Sequence, residues 1–128
     1  MVKQNKPTQS ELEILSVLWE RETATVREVH EILNRRKPTG YTTVLKLLQL
    51  MDEKNLVERD RAKRAHVYRA NIKQKETGKQ MLGDILRAAF GGSALRLVQQ
   101  VLETETTPDD LKEIRRMIER AEKDEKLK

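Results

Sequence analysis

Cysteine is absent from all 128 residues, which excludes disulfide staples, thiolate-bound zinc and any thiol redox switch, and fits a reducing cytoplasm. Aromatic residues are nearly as scarce: one Trp, two Tyr and one Phe. The core must therefore come from Leu, Ile, Val and Met on helix faces. No run approaches the ~18 consecutive apolar residues of a membrane span, and the polar start, Met1-Val-Lys-Gln-Asn-Lys-Pro7, has no apolar signal core. A soluble cytoplasmic protein is expected. Two histidines, His30 and His66, stand far apart in sequence and in poor local company for metal binding, so neither a metal site nor a cofactor is expected. No spacing resembles a nucleophile elbow, a phosphate loop or a metal-binding pair, and an enzyme is not expected either. What the chain has in excess is charge. Charged residues make up 37%, with a net charge of +5 and a pI of about 9.6, which favours an anionic partner.

Glycine and proline are few, so those present act as punctuation. Thr8-Gln-Ser-Glu11, just after Pro7, is a capping box that opens a helix. Leu12, Leu15 and Trp19, with Ile14 and Leu18, form its apolar face, and Glu11, Glu13 and Glu20 fill the other side. Thr25-Val-Arg-Glu28 repeats the signal for a second helix, with Val26, Val29, Ile32 and Leu33 inward, ending before Lys37-Pro38. After the breaker Pro38-Thr-Gly40 a third helix is expected over about 41–54. It buries Val44, Leu47, Leu48 and Met51 and turns Thr42, Thr43, Lys46 and Gln49 outward. Those side chains suit base edges and phosphates.

The stretch Arg59-Asp-Arg-Ala-Lys-Arg-Ala-His-Val-Tyr-Arg69 follows. Arg59, Arg61, Lys63 and Arg64 precede an alternation through Val67 and Arg69 that reads as a basic hairpin with its tip near 62–64. A positively charged two-stranded tip behind three short helices is the arrangement that lays one helix in a DNA groove and braces it on the backbone. The expected fold is therefore mainly α with a small β-hairpin wing: a winged helix-turn-helix over 1–71. Tyr41, Thr42, Thr43, Lys46 and Gln49 would contact DNA from the helix, and Arg61, Lys63 and Arg64 from the wing at 59–69. Charge on a hairpin edge also deters edge-to-edge pairing, and Thr42 and Thr43 also suit helix capping. Arg35, Arg36 and Lys37 form a second basic cluster, although helix C-termini favour cations in any case.

Beyond Asn71 the composition changes. Residues 72–90 read as a helix with Met81, Leu82, Ile85, Leu86, Ala89 and Phe90 apolar, stopped by Gly91-Gly92. Ser93 caps a helix carrying Leu95, Leu97, Val98, Val101 and Leu102. Thr107-Pro-Asp-Asp110 starts a last one with Leu111, Ile114, Met117, Ile118 and Ala121 on its stripe, before a charged tail over 122–128. Three short helices with this much apolar surface bury it poorly alone. The expectation is a three-helix dimerisation arm over 72–128, with Leu82, Ile85, Leu86, Leu95, Val98, Val101, Leu102, Leu111, Ile114 and Ile118 at the interface of a homodimer. The alternatives are an ordinary small core, or helices folded back on the first domain.

The strings Pro7-Thr-Gln-Ser-Glu-Leu-Glu-Ile-Leu15, Val17-Leu-Trp19, Thr25-Val-Arg-Glu-Val29 and above all Gly40-Tyr-Thr-Thr-Val-Leu-Lys-Leu-Leu48, with Met51, Lys54, Leu56-Val57 and Val67-Tyr68, resemble the penicillinase-repressor family of bacterial transcription regulators, the BlaI/MecI/CopY group. The resemblance spans essentially the whole chain and is specific over residues 7–70. It implies a homodimeric repressor that binds a palindromic double-stranded operator. In well-known members a membrane sensor-protease acts as partner, and cleavage of the C-terminal region releases the DNA.

Three features of the chain depart from that pattern. Without cysteine it lacks the metal motif of the copper-responsive branch. At the position corresponding to the cleaved bond it carries Gln100-Val101, where the best-studied members have Asn-Phe. Leu50 also stands where relatives often carry a basic residue. Two other readings stay open: a winged-helix regulator of another family sensing a small ligand directly, and a protein–protein adaptor.

Overall fold

Two capping boxes, both legible in the sequence, set the first two helices. In the computed structural model, which describes residues 6–126, Thr8 Oγ1 accepts the Glu11 amide at 3.2 Å while Glu11 Oε1 accepts the Thr8 amide at 2.9 Å. Thr25 and Glu28 do the same, at 3.1 and 2.8 Å. These close the starts of α1 (Gln9–Arg21) and α2 (Val26–Arg36). The third helix, α3 (Tyr41–Glu53), follows the Pro38-Thr39-Gly40 turn. The polar first five residues and the final two lie outside the described residues.

Between α1 and α2 lies a feature that the pattern of apolar residues does not signal. Glu22 adopts φ 69°, ψ −53°, and the Thr23 amide donates to the Arg21 carbonyl at 2.8 Å. This γ-turn swings the chain into a two-residue strand, β1 (Ala24–Thr25). After α3, Asn55 in the left-handed conformation, φ 65°, leads into β2 (Val57–Asp60), which returns as β3 (Val67–Ala70). The sheet order is β1-β3-β2, antiparallel throughout, with Arg59 opposite Tyr68 and Ala24 also opposite Tyr68. The wing is thus the outer part of a three-stranded sheet rather than a free hairpin. Its loop spans residues 61–66, opened by Asp60 Oδ1 accepting the Ala62 amide at 3.0 Å.

The core is aliphatic, as the lack of aromatics requires. Ile14, Leu15, Val17 and Leu18 of α1 meet Val26, Val29 and Leu33 of α2, Val44, Leu48 and Met51 of α3, and Leu56, Val57 and Tyr68 of the sheet. Trp19 is half-buried against this core, and its indole Nε1 donates to the Ile72 carbonyl at 2.9 Å. Leu47, expected inside, is also only half-buried. In β3 the expected alternation fails, because Val67 and Tyr68 are both buried. A central strand paired on both edges and covered by a helix has little solvated surface to give.

The expectation for Glu11 is corrected. Instead of facing solvent it is 2% exposed, and its Oε2 accepts Lys54 Nζ at 2.8 Å from the end of α3. Because its other oxygen serves the Thr8 amide, the carboxylate ties the start of α1 to the end of α3.

The chain divides into two compact units, one ending at Met81 and the other beginning at Leu82. The helix α4 (Gln74–Phe90) begins two residues later than expected. Gly91 and Gly92, at φ 56° and 79°, end it in a conformation that glycine adopts without strain. Ser93 then caps α5 (Ala94–Thr104). Thr107 and Asp110 exchange hydrogen bonds at the start of α6 (Pro108–Lys126), which continues into what the sequence suggested was a charged tail. Among the described residues no helix is long and apolar enough to cross a membrane.

Burial on its own would raise the Glu11 carboxyl, but hydrogen bonds from Lys54 and the Thr8 backbone outweigh it and hold it below the ordinary value of 4.5. A carboxyl lowered by folding stabilises above its unfolded pKa, and that contribution is lost as the pH falls through the folded value. Unfolding free energy measured by urea titration between about pH 6 and pH 3 is expected to fall more steeply for the wild type than for Glu11→Gln. At neutral pH, Lys54→Met should cost about 1–3 kcal/mol, since it strands a buried carboxylate.

Candidate nucleic-acid interface

The buried seam of α3 determines which residues it can show. Val44, Leu48 and Met51 are fully buried. At 100° per residue this leaves Thr42, Thr43, Lys46, Gln49, Leu50 and Glu53 on the exposed side. Thr42, Lys46 and Gln49 follow one another at spacings of four and three, so they form a single ridge. Tyr41, 47% exposed, stands at its start, and Leu50, 49% exposed, beside its far end. All five residues expected on this helix are exposed, with Tyr41 and Thr43 on either flank of the Thr42–Lys46–Gln49 ridge.

The wing brings its cations together with different degrees of freedom. Arg61 lies 3.5 Å from Asp52 of α3. Arg69 is bound twice to Glu58 across the strands, Nε at 3.1 Å and Nη2 at 2.8 Å from Oε2. Arg59 Nη2 lies 3.4 Å from His66 Nε2, while its own Nε is buried without a hydrogen-bond partner. Lys63 and Arg64, both exposed in the loop, make no ion pair among the described residues. A cleft of about 530 Å³ on this sheet is lined by Asp52, Arg59, Arg61, Tyr68 and Arg69, a mixed-charge surface rather than an apolar ligand pocket.

Several residues here carried no sequence signal. Asp52 gives Arg61 its partner. His30 places Nε2 2.8 Å from the Thr39 carbonyl oxygen and sets its ring against Tyr41, centroids 5.7 Å apart at 74°. Asn34 Oδ1 accepts the Thr39 amide at 2.9 Å. Spacing alone shows only that His30 and Asn34 share a helix face. Their joint target becomes visible once the turn is folded. Arg35, Arg36 and Lys37 are exposed at the end of α2, where the Lys37 amide closes the helix on the Leu33 carbonyl. Among the described residues no cluster of His, Asp or Glu is arranged to hold a metal.

The penicillinase repressor profile matches residues 7–120, so it takes in both the α1–β3 unit and the later helices. The chain belongs to the penicillinase repressor family. Two curated relatives, each called transcriptional regulator BlaI, from Mycobacterium tuberculosis strains CDC 1551 / Oshkosh and ATCC 25618 / H37Rv, are 44% identical over 69 residues. That alignment covers 53% of this chain and 50% of each relative, so the chain spans about half the length of the curated relatives it matches. The solution structure of the DNA-binding domain of the repressor BlaI superposes with a TM-score of 0.51 at 24% identity. It covers 59% of this chain and 93% of that one, and at this identity it supports the winged-helix fold alone.

The ridge on α3 contributes nothing to the core of this penicillinase-repressor family member. Lys46→Ala and Gln49→Ala are each expected to leave the unfolding free energy within about 0.5 kcal/mol of wild type. Leu48→Ala, one position from Gln49 but on the buried seam, should cost about 2–5 kcal/mol. Urea denaturation followed by Trp19 fluorescence measures both. A loss above 1 kcal/mol for the Lys46 or Gln49 variant would mean that the ridge is structural.

Proposed function

We propose that this chain is a sequence-specific DNA-binding transcriptional repressor that acts as a homodimer on a palindromic operator. The observation that carries the reading is the joint exposure of the Thr42–Lys46–Gln49 ridge and the wing cations Lys63 and Arg64 on a winged-helix head. In this reading α3 enters the major groove. Thr42, Thr43, Lys46 and Gln49 meet base edges and phosphates there, and Tyr41 meets the backbone. Arg61, Lys63 and Arg64 reach phosphates or the adjacent minor groove. Specificity then resides in the helix and much of the affinity in the salt-sensitive wing. Family membership and relatives named as transcriptional regulators support it.

The dimer is supported by the second unit taken by itself. From Leu82 onward, no described apolar side chain is fully buried. Leu95 is 79% exposed, and Leu82, Ile85, Val98, Val101, Leu102, Leu111 and Ile118 are exposed with it, while Leu86 and Ile114 are half-covered. A helical unit without a sealed core gains by covering that surface with a second copy. Release by proteolysis belongs to the same reading, with Gln100 and Val101 of α5 as the bond that corresponds to the family's cleavage position. A cut there would part α6 and the end of α5 from the rest of the arm. A membrane sensor-protease is the partner such a step calls for. A cytoplasmic location belongs to the same reading.

The direct test is fluorescence anisotropy with a duplex selected from a random pool by the wild-type protein and with a scrambled duplex, across salt concentrations. If a dimer neutralises ~6 phosphates, log K should fall with log salt at a slope of about −5. Lys46→Ala/Gln49→Ala should abolish preference for the selected duplex. Lys63→Ala/Arg64→Ala should weaken both duplexes and flatten the slope by about 1 per lost phosphate contact. Failure to enrich any sequence, with no binding at low salt, would sink the repressor reading in favour of a protein–protein adaptor. For the dimer, Val98→Glu/Leu102→Glu should sediment as a monomer and bind the selected duplex more weakly. An unchanged sedimentation coefficient would refute the proposed interface.

A further inference from the structure

The start of α3 lacks the device used elsewhere in the chain. Side chains of Thr8, Thr25 and Ser93 cap α1, α2 and α5, whereas Gly40, at the same position of α3, offers none. Gly40 also contributes the greatest backbone freedom of any residue to the turn that delivers the helix. The first backbone bond of α3, from the Val44 amide to the Gly40 carbonyl at 3.2 Å, closes only after that turn.

What holds the turn comes from α2. Thr39, just ahead of Gly40, is gripped on both of its backbone groups: Asn34 Oδ1 accepts its amide at 2.9 Å, and His30 Nε2 lies 2.8 Å from its carbonyl oxygen. A carbonyl can only accept, so Nε2 is the donor. The Thr39 hydroxyl donates to the Lys37 carbonyl at 2.7 Å. His30 also sets its ring edge-on against Tyr41, the first residue of α3. His30 and Asn34 are four residues apart on α2 and so share one face.

We propose that His30 and Asn34 are positioning residues for DNA recognition: through Thr39 and Tyr41 they set where, and in what direction, the reading helix begins. The proposal rests on α3 being the DNA-reading helix. The residues most affected are Thr42 and Thr43, three and four positions beyond Thr39 and upstream of most of the buried seam. Lys46 and Gln49 lie among Val44, Leu48 and Met51, which hold their part of the helix independently of the turn. Base readout depends on side chains held to about 0.5 Å, so freeing the turn lowers discrimination before it lowers stability.

The test uses the full chain, with His30→Ala/Asn34→Ala as the disruptive variant and His30→Gln as the conservative one, since a glutamine Nε2 can replace the histidine donor. Amide hydrogen exchange by NMR reads the turn without DNA, and anisotropy against the selected and scrambled duplexes reads recognition. The double variant is expected to exchange roughly tenfold faster at the Thr39 and Val44 amides while α1 protection is kept. It should also lose roughly tenfold affinity for the selected duplex and under about twofold for the scrambled one. His30→Gln should stay within about threefold of wild type on the selected duplex. Unchanged exchange and unchanged preference in the double variant would overturn the proposal while leaving the DNA reading intact. Parallel losses on both duplexes, with α1 protection and melting temperature falling too, would overturn it by showing a purely structural role. A wild-type protein with no preference between duplexes would end the sequence-specific reading and this proposal with it, and that result appears before any substitution is made.

Discussion

Val44, Leu48 and Met51 have to be buried together, and the rest of the first unit depends on that requirement. Each such side chain contributes about 1.5–3 kcal/mol when removed from water, against which the hydrogen bonds of an exposed ridge are small. The seam fixes the rotation of α3 about its own axis, since a shift of one residue in one direction would carry Gln49 and Asp52 inward in place of Leu48 and Met51. The core of α1, α2 and the sheet therefore decides which polar side chains face out. It does not decide where the helix starts along its axis, because the seam begins only at Val44. That second coordinate is left to the turn, and the grip of Asn34 and His30 on Thr39 answers it.

Charge on the same face is divided between internal and outward tasks. Arg69 is satisfied by Glu58 across the strands, and Arg61 stands near Asp52, so both have intramolecular carboxylates competing with any phosphate. These pairs are exposed and individually weak, which leaves them easy to exchange for a polyanion. Lys63 and Arg64 have no such competitor among the described residues and sit in a loop closed only by the Asp60–Ala62 turn. The Glu11–Lys54 pair, buried on its carboxylate side, has a different task. Its carboxylate is inaccessible, and it joins the two ends of the α1–α3 pair. Its charge therefore belongs to stability and to the acid limb of the pH profile.

Much of the head was legible because its signals are local. Each capping box needs only two residues three apart, and Pro38 and Gly40 mark the break before α3 without reference to anything distant. The ridge was legible because helical spacing is enough to sort Thr42, Lys46 and Gln49 from Val44, Leu48 and Met51. What escaped depends on distant partners. Glu11 looked solvated because three-residue logic explains it fully as a cap, and its burial follows from Lys54, 43 positions away. The strand at Ala24–Thr25 is two residues long and takes its identity from pairing with β3, so no periodicity could announce it. Tyr68 beside Val67 breaks alternation for the same reason: pairing on both edges under a helix is a tertiary fact. The DNA contacts and the dimer face remain inferences of another kind, since each requires a second molecule.

The two units differ in the kind of stability they have. The head seals fifteen apolar residues from Ile14 to Tyr68, enough to hold α3 in place without help. From Leu82 onward no described apolar side chain is fully buried, so in the proposed dimer the order of the arm would be tied by mass action to the second copy. In the proposed dimer this asymmetry has a functional consequence. One head offers a short ridge and a few cations, a modest affinity readily screened by salt. Joining two heads through the arm converts the second half-site encounter into an intramolecular one, and avidity rises by the effective concentration the arm maintains. Weakening the arm would then release DNA without altering a single contact on α3, which would put regulation in the less self-sufficient unit and recognition in the sealed one.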